Sequence, residues 1–410
     1  MIYVVGAGLA GLAAALALAD AGRPVTVLEA APVAGGRCRS YLDRDLGCRI
    51  DNGNHLLLSG NDAAMAWVDR LGTRATLAGP GRAIFPFVDP RDGARWLLRP
   101  SAGRLPCWLF DPARRVPGTR PADYLALLRW LRPPPRATVA EVAGHGPLAE
   151  RLIVPLAIAA LNTMPEVADA GLMGAVVRQT LLRGGRASVP LYPREGLSES
   201  LIDPAVASLQ AAGATLRFAC RVGAIEVAQG RVTALRLPEG PQHLAPEDSI
   251  VLAVPAAIAT TLLPGLTAPQ AFESILNVHF RVAAPPGPAG FTGIVGGFAE
   301  WVFVKPGVVS VTISAANRFA DLAPDTIAAR SWPEVRLATG LTGALPPYRV
   351  VREKRATFAA TPAEAARRPA ADGAGLANLV LAGDWTATGL PATIEGALRS
   401  AAAAAARLRA

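Results

Sequence analysis

Runs of apolar residues, separated by a glycine-rich turn and an alanine-rich segment, dominate the start of the chain. Residues 2–5 are consecutively apolar, a glycine-rich turn follows, and an Ala/Leu-rich segment extends to Ala21. A second strand-like run covers residues 24–28. Because strands buried on both faces carry consecutive apolar residues, this order predicts two parallel strands joined by a helix. Similar runs at 249–254 and 379–382 predict two further buried strands.

The turn after the first predicted strand has the spacing of a dinucleotide-binding site. Gly6, Gly8 and Gly11 form a G-x-G-x-x-G pattern that also includes Ala10. Such glycines permit a tight turn, a close approach of the backbone to pyrophosphate, and close packing of helix on strand. The following helix directs its first N–H groups at the phosphates, where its dipole favours negative charge. Glu29 ends the second strand and suits hydrogen bonds to ribose hydroxyls.

The residues after Glu29 distinguish between dinucleotides. Ala30 adjoins the acid, and Gly36 and Arg37 follow within a Gly-Gly-Arg sequence. This sequence places a flexible backbone and a guanidinium beside the pyrophosphate, which arginine can neutralise with two hydrogen bonds. The alternative interpretation is a surface turn with a solvated arginine. The segment resembles the extended fingerprint of FAD-binding proteins of the amine-oxidase and carotenoid-desaturase superfamily, which implies FAD rather than NAD.

Composition and charge argue against several classes of function. The chain has 410 residues, enough for two domains, and a formal net charge of +9. Its arginines are scattered, and no basic run interleaves with aromatic residues, so nucleic-acid binding is not predicted. A mildly positive surface would favour contact with anionic lipid headgroups. The four cysteines lack C-x-x-C spacing, which predicts neither a disulfide framework nor a zinc site and fits a reduced cytoplasmic compartment.

No targeting or membrane-spanning segment is predicted. Met1 leads directly into a strand, so there is no room for a signal peptide. No run of about eighteen uninterrupted apolar residues occurs, so no spanning helix is expected. We therefore expect a cytoplasmic protein, with peripheral contact with the inner face of the membrane as an open option.

A polar cluster at residues 51–55, between apolar flanks, is the next candidate for chemistry. It reads Asp51-Asn52-Gly53-Asn54-His55. In the superfamily an acid-x-Gly turn at this distance passes close to the isoalloxazine ring, so the resemblance places Asn54 and His55 at the cofactor. An Asx-turn between two strands is the alternative, and a structural role for His55 is as well supported as a catalytic one.

Large apolar side chains replace the Gly/Ala pattern over residues 61–189. A short helix over 124–132 is expected after Pro121, and it is apolar on nearly every side. Such a helix is either buried, as part of the core or of a substrate cavity, or dipped into a lipid interface with its arginines snorkelling; we favour the first. Helices predicted over 147–164 and 168–182 complete an apolar insertion suited to a greasy substrate.

The second half of the chain returns to the pattern of the first domain before a second sheet. The resemblance places Val222 against the adenine end of FAD through backbone atoms. Alternating residues over 272–358 predict the sheet that covers the substrate. Lys305 lies in this sheet, but it precedes Pro306-Gly307 at an apparent turn. We therefore expect it to be solvated and not to act as the flavin-side lysine of amine oxidases.

The last motif closes the predicted cofactor site. Gly383-Asp384 follows a buried strand and resembles the second flavin fingerprint of the superfamily, in which the acid reaches the ribityl chain or phosphate. The Ala-rich terminal helix is expected to start near Ala392, with Thr393 and Ile394 in its first turn. Its free N–H groups would then stabilise the anionic reduced flavin. An ordinary terminal helix would not explain the Gly-Asp sequence, and no cysteine beyond Cys220 is available for a thioether to flavin.

Three segments together resemble the squalene-associated FAD-dependent desaturase family, whose members are hydroxysqualene dehydroxylases of hopanoid synthesis. They are residues 51–58, 161–166 and 381–397. Family members usually carry Gln where Asn54 stands, and Pro or a similar residue where Met164 stands. The resemblance implies reduction of an allylic C30 alcohol to squalene, with hydride passing from N5 of reduced FAD to an allylic cation. His55 is the candidate proton donor.

The sequence thus predicts an α/β protein in which a Rossmann-like FAD-binding domain with a mixed sheet is joined to a helical substrate domain. The FAD-binding domain is expected to comprise 1–60, 190–265 and 370–410, and the substrate domain 61–189 and 266–369. The expected partner is a C30 isoprenoid lipid. Two alternatives stay open: another flavoenzyme of the superfamily, such as a carotenoid desaturase or an amine oxidase, and a non-catalytic isoprenoid carrier.

Overall fold

The computed structural model describes residues 1–409 of the chain. Its strands, in chain order, are β1 Ile2–Val5, β2 Val25–Leu28, β3 Ser40–Asp43, β4 Cys48–Asp51, β5 Leu57–Leu58, β6 Leu77–Ala78, β7 Phe85–Val88, β8 Arg95–Leu98, β9 Pro190–Pro193, β10 Thr215–Arg217, β11 Ala224–Ala228, β12 Arg231–Leu237, β13 Gly240–His243, β14 Ser249–Leu252, β15 Phe272–Phe280, β16 Phe291–Ile294, β17 Trp301–Lys305, β18 Val308–Ile313, β19 Tyr348–Phe358 and β20 Leu379–Leu381.

Many of the α-helices are short, and some are preceded by turns of other helical types. They are α1 Leu9–Asp20, α2 Asp62–Arg70, α3 Val139–Ala143, α4 Val154–Leu161, α5 Ala170–Gln179, α6 Asp203–Ala211, α7 Ala256–Leu262, α8 Pro324–Thr339, α9 Pro362–Ala366 and α10 Ile394–Arg409. Single π-helical turns precede α4 and α6, and a 3-10 helix spans Pro121–Leu131.

A five-stranded sheet in the order β10-β2-β1-β14-β20 is parallel throughout. Alternate residues of its strands face two different cores. Val4, with Val27 and Val251, belongs to the core that contains α1, α6 and α10. Val5 and Leu252 belong to the core that contains α7. Burial on both faces is why these strands read as continuous apolar runs.

A seven-stranded mixed sheet forms the second layer, in the order β19-β15-β18-β17-β16-β7-β8. Within this sheet, over the described residues, only the β16–β7 pair is parallel. Phe280 of β15 packs on Trp332 of α8, with 5.3 Å between ring centroids. The alternate residues of β15 and β18 are polar and buried: Asn277, His279, Ser310 and Thr312. This face of the sheet is therefore polar over β15 and β18, and it becomes aromatic at Trp301 and Phe303 of β17, which pair with Thr312 and Ser310.

The insertion over residues 61–189 contains strands β6, β7 and β8 as well as helices, and its helices differ from those expected. The segment predicted as a helix over 124–132 is a 3-10 helix that begins at Pro121. The stretch predicted as one helix over 147–164 is a π-helical turn from Ala149 followed by α4, which ends at Leu161. The helix predicted over 168–182 is α5, Ala170–Gln179. The apolar composition predicted that these segments are helical, but it did not predict which of them are α, 3-10 or π helices.

The predicted division into two domains follows the two sheets. All strands of the parallel sheet lie in 1–60, 190–265 or 370–410, and all strands of the mixed sheet lie in 61–189 or 266–369. However, α2 packs in the core of α1 and α10 although it lies beyond residue 60. The exact boundaries thus stay a prediction. Among residues 1–409, no helix combines the length and apolar character needed to cross a membrane.

Candidate functional site

The turn between β1 and α1 has a conformation that requires glycine at two positions. Gly6 has φ +104°, and a Cβ there would lie 2.7 Å from the carbonyl oxygen of Ala253. A Cβ on Gly11 would lie only 1.9 Å from the carbonyl oxygen of Gly6. Gly8 differs, because a Cβ there would meet no atom within 4 Å. Gly6 and Gly11 therefore set the tight packing, whereas the backbone of Gly8 borders open space.

The first turn of α1 presents unused hydrogen-bond donors to that space. Gly8 is the N-cap and offers no side chain. The first N–H bonded within the helix is that of Leu12, which donates to the carbonyl of Gly8 at 2.9 Å. The N–H groups of Leu9, Ala10 and Gly11 have no acceptor in residues 1–409, although all three residues are buried. Buried donors at a helix N-terminus form a binding site for an anion such as phosphate.

Glu29 lies at the end of β2, beside this turn. Its two carboxylate oxygens accept hydrogen bonds from the N–H of Ala7 at 2.7 Å and of Ala31 at 2.8 Å. A carboxylate accepts about four hydrogen bonds, so two sites stay free for a pair of hydroxyls. Ala30, which lies between Glu29 and Ala31 in the chain, is exposed.

Val222 lies near Glu29 because the segment just before it, residues 217–220, is hydrogen-bonded to the backbone of Glu29. The backbone of Glu29 bonds to Arg217 and to Cys220, at 2.9 and 2.8 Å. Val222 follows two residues later and is buried. Its backbone N–H and C=O have no partner in the described part of the chain. Buried backbone groups are almost always paired, so this segment suits a ligand with both donor and acceptor atoms.

Gly36 and Arg37 lie directly against the glycine-rich turn. The N–H of Gly35 donates to the carbonyl of Ala7 at 2.8 Å, and a Cβ on Gly36 would lie 3.5 Å from the Cα of Gly8. The Arg37 guanidinium donates to the carboxylate of Asp384 at 2.7 Å and to the carbonyl of Ala356. Burial opposes the charge of Arg37, but Asp384 outweighs it and the pKa of Arg37 is raised. Arg37 thus joins the two ends of the chain.

A buried arginine that the sequence did not predict holds the segment after β20. The guanidinium of Arg368 donates to the carbonyl oxygens of Leu390 at 2.7 Å and of Asp384 at 3.2 Å, and also to those of Trp385 and Thr386. Burial lowers the pKa of Arg368 to about 10, so the side chain stays charged near pH 7. One cation therefore satisfies several carbonyls of an irregular loop.

Helix α10 begins at Ile394, two residues after the predicted start near Ala392. The reason is Thr393, whose Oγ1 accepts from the N–H of Gly396 at 3.0 Å in the manner of an N-cap. The N–H groups of Ile394 and Glu395 have no acceptor in residues 1–409. A second set of free helical donors therefore lies close to Asp384.

The polar cluster 51–55 joins the two layers. Asp51 is 4% exposed, and its carboxylate accepts from Ser40 Oγ at 2.6 Å, Leu197 N at 2.9 Å and Lys305 Nζ at 2.5 Å. Burial raises the pKa of Asp51, but Lys305 and these donors outweigh it and the pKa is lowered. The prediction that Lys305 is solvated is therefore wrong, since only 10% of its side chain is exposed.

Asn54 is fixed by the polar face of the mixed sheet. Its Nδ2 donates to Thr312 Oγ1 at 3.0 Å, and Thr312 donates to Asn277 Oδ1 at 2.9 Å. Asn277 Nδ2 in turn contacts the carbonyl of Asn52 at 3.4 Å. These side chains bond across to the sheet, not to their own backbone as an Asx-turn would require. Asn54 Oδ1 is buried and accepts no hydrogen bond in residues 1–409, so it is free for a ligand donor.

His55 follows, with a neutral side chain. Its Nδ1 lies 3.1 Å from the carbonyl of Gly53, and burial lowers its pKa below the usual value. A carbonyl only accepts, so Nδ1 carries the hydrogen and Nε2 keeps a lone pair.

Comparisons with known proteins identify the family of this chain. Residues 9–409 match the family of flavin containing amine oxidoreductases. The hydroxysqualene dehydroxylase of Rhodopseudomonas palustris is 50% identical over 97% of this chain and 96% of that protein. The corresponding enzyme of Zymomonas mobilis is 39% identical over 98% and 97%. The chain belongs to the flavin-containing amine oxidoreductase family and groups with the hydroxysqualene dehydroxylases.

Two solved structures share the fold of this chain. Cyclohexylamine oxidase from Brevibacterium oxydans superposes with a TM-score of 0.69 at 18% identity, covering 100% of this chain and 98% of that one. Putrescine oxidase gives a TM-score of 0.67 at 15% identity, covering 99% and 98%. The predicted family, fold class and FAD cofactor are confirmed.

The described residues fit FAD in their chemistry. Free helical N–H groups at α1 suit a pyrophosphate, Glu29 suits a ribose diol, and the unpaired backbone of Val222 suits adenine. The free N–H groups of α10 and the unpaired Asn54 Oδ1 suit the polar edge of a flavin ring. No comparison tests these residue roles, which stay predictions.

The second of the three segments that carry the family resemblance, 161–166, has a structural role. Asn162 adopts a left-handed conformation at the end of α4. Its Nδ2 donates to Thr357 Oγ1 at 2.9 Å, and its Oδ1 accepts from Ala315 N at 2.6 Å. Thr163 Oγ1 accepts from Ala360 N at 2.8 Å. The segment thus fastens the insertion to the ends of β18 and β19, next to the Ala356 carbonyl that contacts Arg37.

Proposed function

We propose that this protein is a hydroxysqualene dehydroxylase, which reduces a C30 allylic alcohol to squalene with reduced FAD. The observation that carries the proposal is the 39–50% identity to three hydroxysqualene dehydroxylases over nearly the whole chain. The net reaction adds one hydride and one proton to the alcohol and releases water. The chain must therefore bind a flavin, hold an apolar substrate and manage one proton.

We assign the cofactor to the groove between the glycine-rich turn and the start of α10. When bound in its reduced form, FAD supplies the hydride. The residues proposed to hold it are Gly6, Gly8, Ala10, Gly11, Glu29, Ala30, Gly36, Arg37, Asn54, His55, Val222, Gly383, Asp384, Ala392, Thr393 and Ile394. The positive end of α10 favours negative charge there, which supports the anionic reduced form.

The paired charges around the groove support the same interpretation. Asp51 with Lys305, and Asp384 with Arg37, are partly or fully buried ion pairs that lie between the two sheets. Each pair cancels its own charge, so neither competes with a developing cation on the substrate. We infer that both pairs position the walls of the site and take no part in proton transfer.

We propose His55 as the residue that moves the proton. Its Nδ1 is committed to the Gly53 carbonyl, so Nε2 is the atom that can exchange a proton with the substrate hydroxyl. Because burial lowers the pKa of His55, the free protein holds it neutral near pH 7. Donation to a departing hydroxyl therefore requires that His55 take up a proton from solvent in the substrate complex before the C–O bond breaks.

The test is anaerobic incubation of the flavin-loaded protein, reduced chemically, with hydroxysqualene in detergent micelles, followed by mass spectrometry for squalene. Squalene formed in proportion to flavin oxidised supports the proposal. A protein whose oxidised flavin is instead reduced by a carotenoid or an amine would be a desaturase or an oxidase, and one that binds the isoprenoid but holds no flavin would be a carrier.

The proposed substrate is a water-insoluble alcohol, so we also propose that the protein works in the cytoplasm in peripheral contact with a membrane. Support comes from a row of exposed leucines, Leu125, Leu128 and Leu131, in a part of the chain that is rich in arginine.

A further inference from the structure

The 3-10 helix Pro121–Leu131 exposes one row of leucines. In a 3-10 helix residues three apart lie directly above one another, and each residue adds about 2.0 Å, so this helix extends about 20 Å. Leu125, Leu128 and Leu131 are spaced in this way and are 65%, 53% and 45% exposed. Three leucines aligned along one side of a helix therefore face solvent, contrary to the prediction that this segment lines the core.

The opposite row fixes the helix in this orientation. Tyr124 and Trp130 are buried, and Leu127 between them packs against the same core. The Tyr124 ring meets Trp108 edge to face at 5.3 Å, and its hydroxyl accepts from Val116 N at 2.9 Å. Rotation of the helix to bury the leucines would break these contacts.

Helix α5 packs against the backbone at the end of the 3-10 helix and so holds the leucine row in place. A Cβ on Gly174 would lie 2.6 Å from the carbonyl oxygen of Trp130, so glycine there permits the close approach. Arg178 of α5 donates to the carbonyls of Trp130 and Leu131, both at 3.2 Å. The leucine row is therefore a fixed part of the fold.

Two further exposed apolar side chains flank Trp108, the residue on which the helix packs. Leu105 and Phe110 are each 76% exposed. We call the row Leu125, Leu128 and Leu131 the apolar face. Leu105 and Phe110 add exposed apolar surface in the adjoining part of the chain, and these five residues are among the twelve large apolar side chains that are exposed in residues 1–409.

The segment that carries the apolar face is strongly basic. Residues 101–136 include seven arginines and two aspartates. In the described chain, none of these arginines forms an ion pair with a carboxylate within 4.0 Å, whereas arginines such as Arg70 and Arg74 elsewhere on the surface do. The exposed ones are Arg104, Arg120, Arg129, Arg132 and Arg136. Unpaired guanidinium groups around an apolar face complement an anionic surface that also offers an apolar interior.

We propose that the apolar face and its arginines dock the protein on an anionic phospholipid bilayer, with the 3-10 helix lying in the plane of the headgroups. The leucines enter the acyl boundary, and the arginines bind lipid phosphates while their aliphatic stems lie along the apolar layer. The docking is inferred from this surface alone. Its use, which is to take up a water-insoluble alcohol from the bilayer, rests on the proposed function.

Vesicle co-sedimentation of the full, flavin-loaded chain tests the docking. The probes are vesicles of phosphatidylcholine alone and of phosphatidylcholine mixed with phosphatidylglycerol. The double variant Leu125→Ser/Leu128→Ser is expected to bind mixed vesicles at least about tenfold more weakly. The variant Arg129→Gln/Arg132→Gln is expected to lose about fivefold for each arginine on mixed vesicles, and little on phosphatidylcholine.

The matched control is Leu42→Ser/Val227→Ser, which removes apolar side chains that are 65% and 48% exposed elsewhere on the surface. It should bind like wild type. Docking is refuted if wild type leaves both kinds of vesicle unbound, if the leucine variant binds like the control, or if the face instead mediates a dimer that persists at vesicle-binding concentrations. Turnover of micellar hydroxysqualene, which needs no bilayer, reports separately on the proposed function.

Discussion

Removal of the Lys305 ammonium should destabilise the protein in a pH-dependent way. Asp51 and Lys305 are 2.5 Å apart, with 2% and 10% of their side chains exposed. Removing one partner of a buried pair typically costs about 3–5 kcal/mol, because the other charge is left uncompensated in a poorly solvated place. The Ser40 and Leu197 donors remain on Asp51 and offset part of this. We therefore expect Lys305→Met to lose about 3 kcal/mol near pH 7.

The pH dependence follows from Asp51. In wild type its pKa is lowered, so its contribution to stability is present above the unfolded pKa of about 3.9 and is lost as pH falls through the folded value. Without Lys305, the largest remaining influence is burial, which raises the pKa of Asp51 against the Ser40 and Leu197 donors. The folded variant then favours the protonated acid and loses stability as pH rises. The difference between wild type and Lys305→Met should therefore shrink as pH is lowered from about 8 to about 5.

The assay is urea unfolding of the flavin-free chain, followed by circular dichroism at several pH values. The chain offers a close control, because Lys354 is its only other lysine and is exposed. Lys354→Met should unfold like wild type. The double variant Asp51→Asn/Lys305→Met should recover part of the loss, since it leaves no buried charge. Equal unfolding midpoints for Lys305→Met and Lys354→Met at every pH would refute the buried pair.

Three other variants test separate features of the protein. Two lie in the site, and the third is at Glu300, which directly precedes β17 and accepts from Ser314 N. His55→Ala should keep its flavin spectrum yet form squalene at least about a hundredfold more slowly, and turnover at the wild-type rate would remove His55 from the mechanism. Gly8→Ala has room for its methyl group, so its flavin-free unfolding should match wild type while FAD titration shows at least about tenfold weaker binding. Burial raises the pKa of Glu300 to about 7, so its ionisation should cost stability as pH rises from about 4.5 to 7. Glu300→Gln should abolish that part of the pH dependence of urea unfolding, and an unchanged profile would contradict the raised pKa.

The parts of the fold that the sequence predicted are those whose signal is local. Strands β1, β2, β14 and β20 are buried on both faces, so each reads as an apolar run without reference to other segments. Gly6 and Gly11 must be glycines because of atoms a few residues away and in the adjacent strand. Such constraints leave a local pattern that can be recognised from one amino-acid sequence.

The parts that could not be predicted depend on distant partners. The turn sequence after Lys305 suggested solvation, but the ammonium meets Asp51, 254 residues away. Arg368 lies in no motif, and the 381–397 segment that includes Glu395 predicts no role for its side chain. Yet Arg368 donates to carbonyls of the loop after β20, and Glu395 accepts from N–H groups in the first turn of α2. The leucine row was missed for another reason, since apolar composition alone does not distinguish a period of 3.0 from one of 3.6.

These distant contacts explain how the flavin site can attract an anion although acids surround it. Asp51, Asp384 and Glu395 are buried, and each contacts a cation: Lys305, Arg37 and Arg399.

With those acids compensated, the free N–H groups of α1 and α10 supply the remaining positive potential. A ligand that carries a pyrophosphate at one end and an electron-rich ring at the other can interact with the N-termini of both helices at once. Its binding would link the amino-terminal turn to the carboxy-terminal helix, and so stabilise the parallel sheet at both ends of the chain.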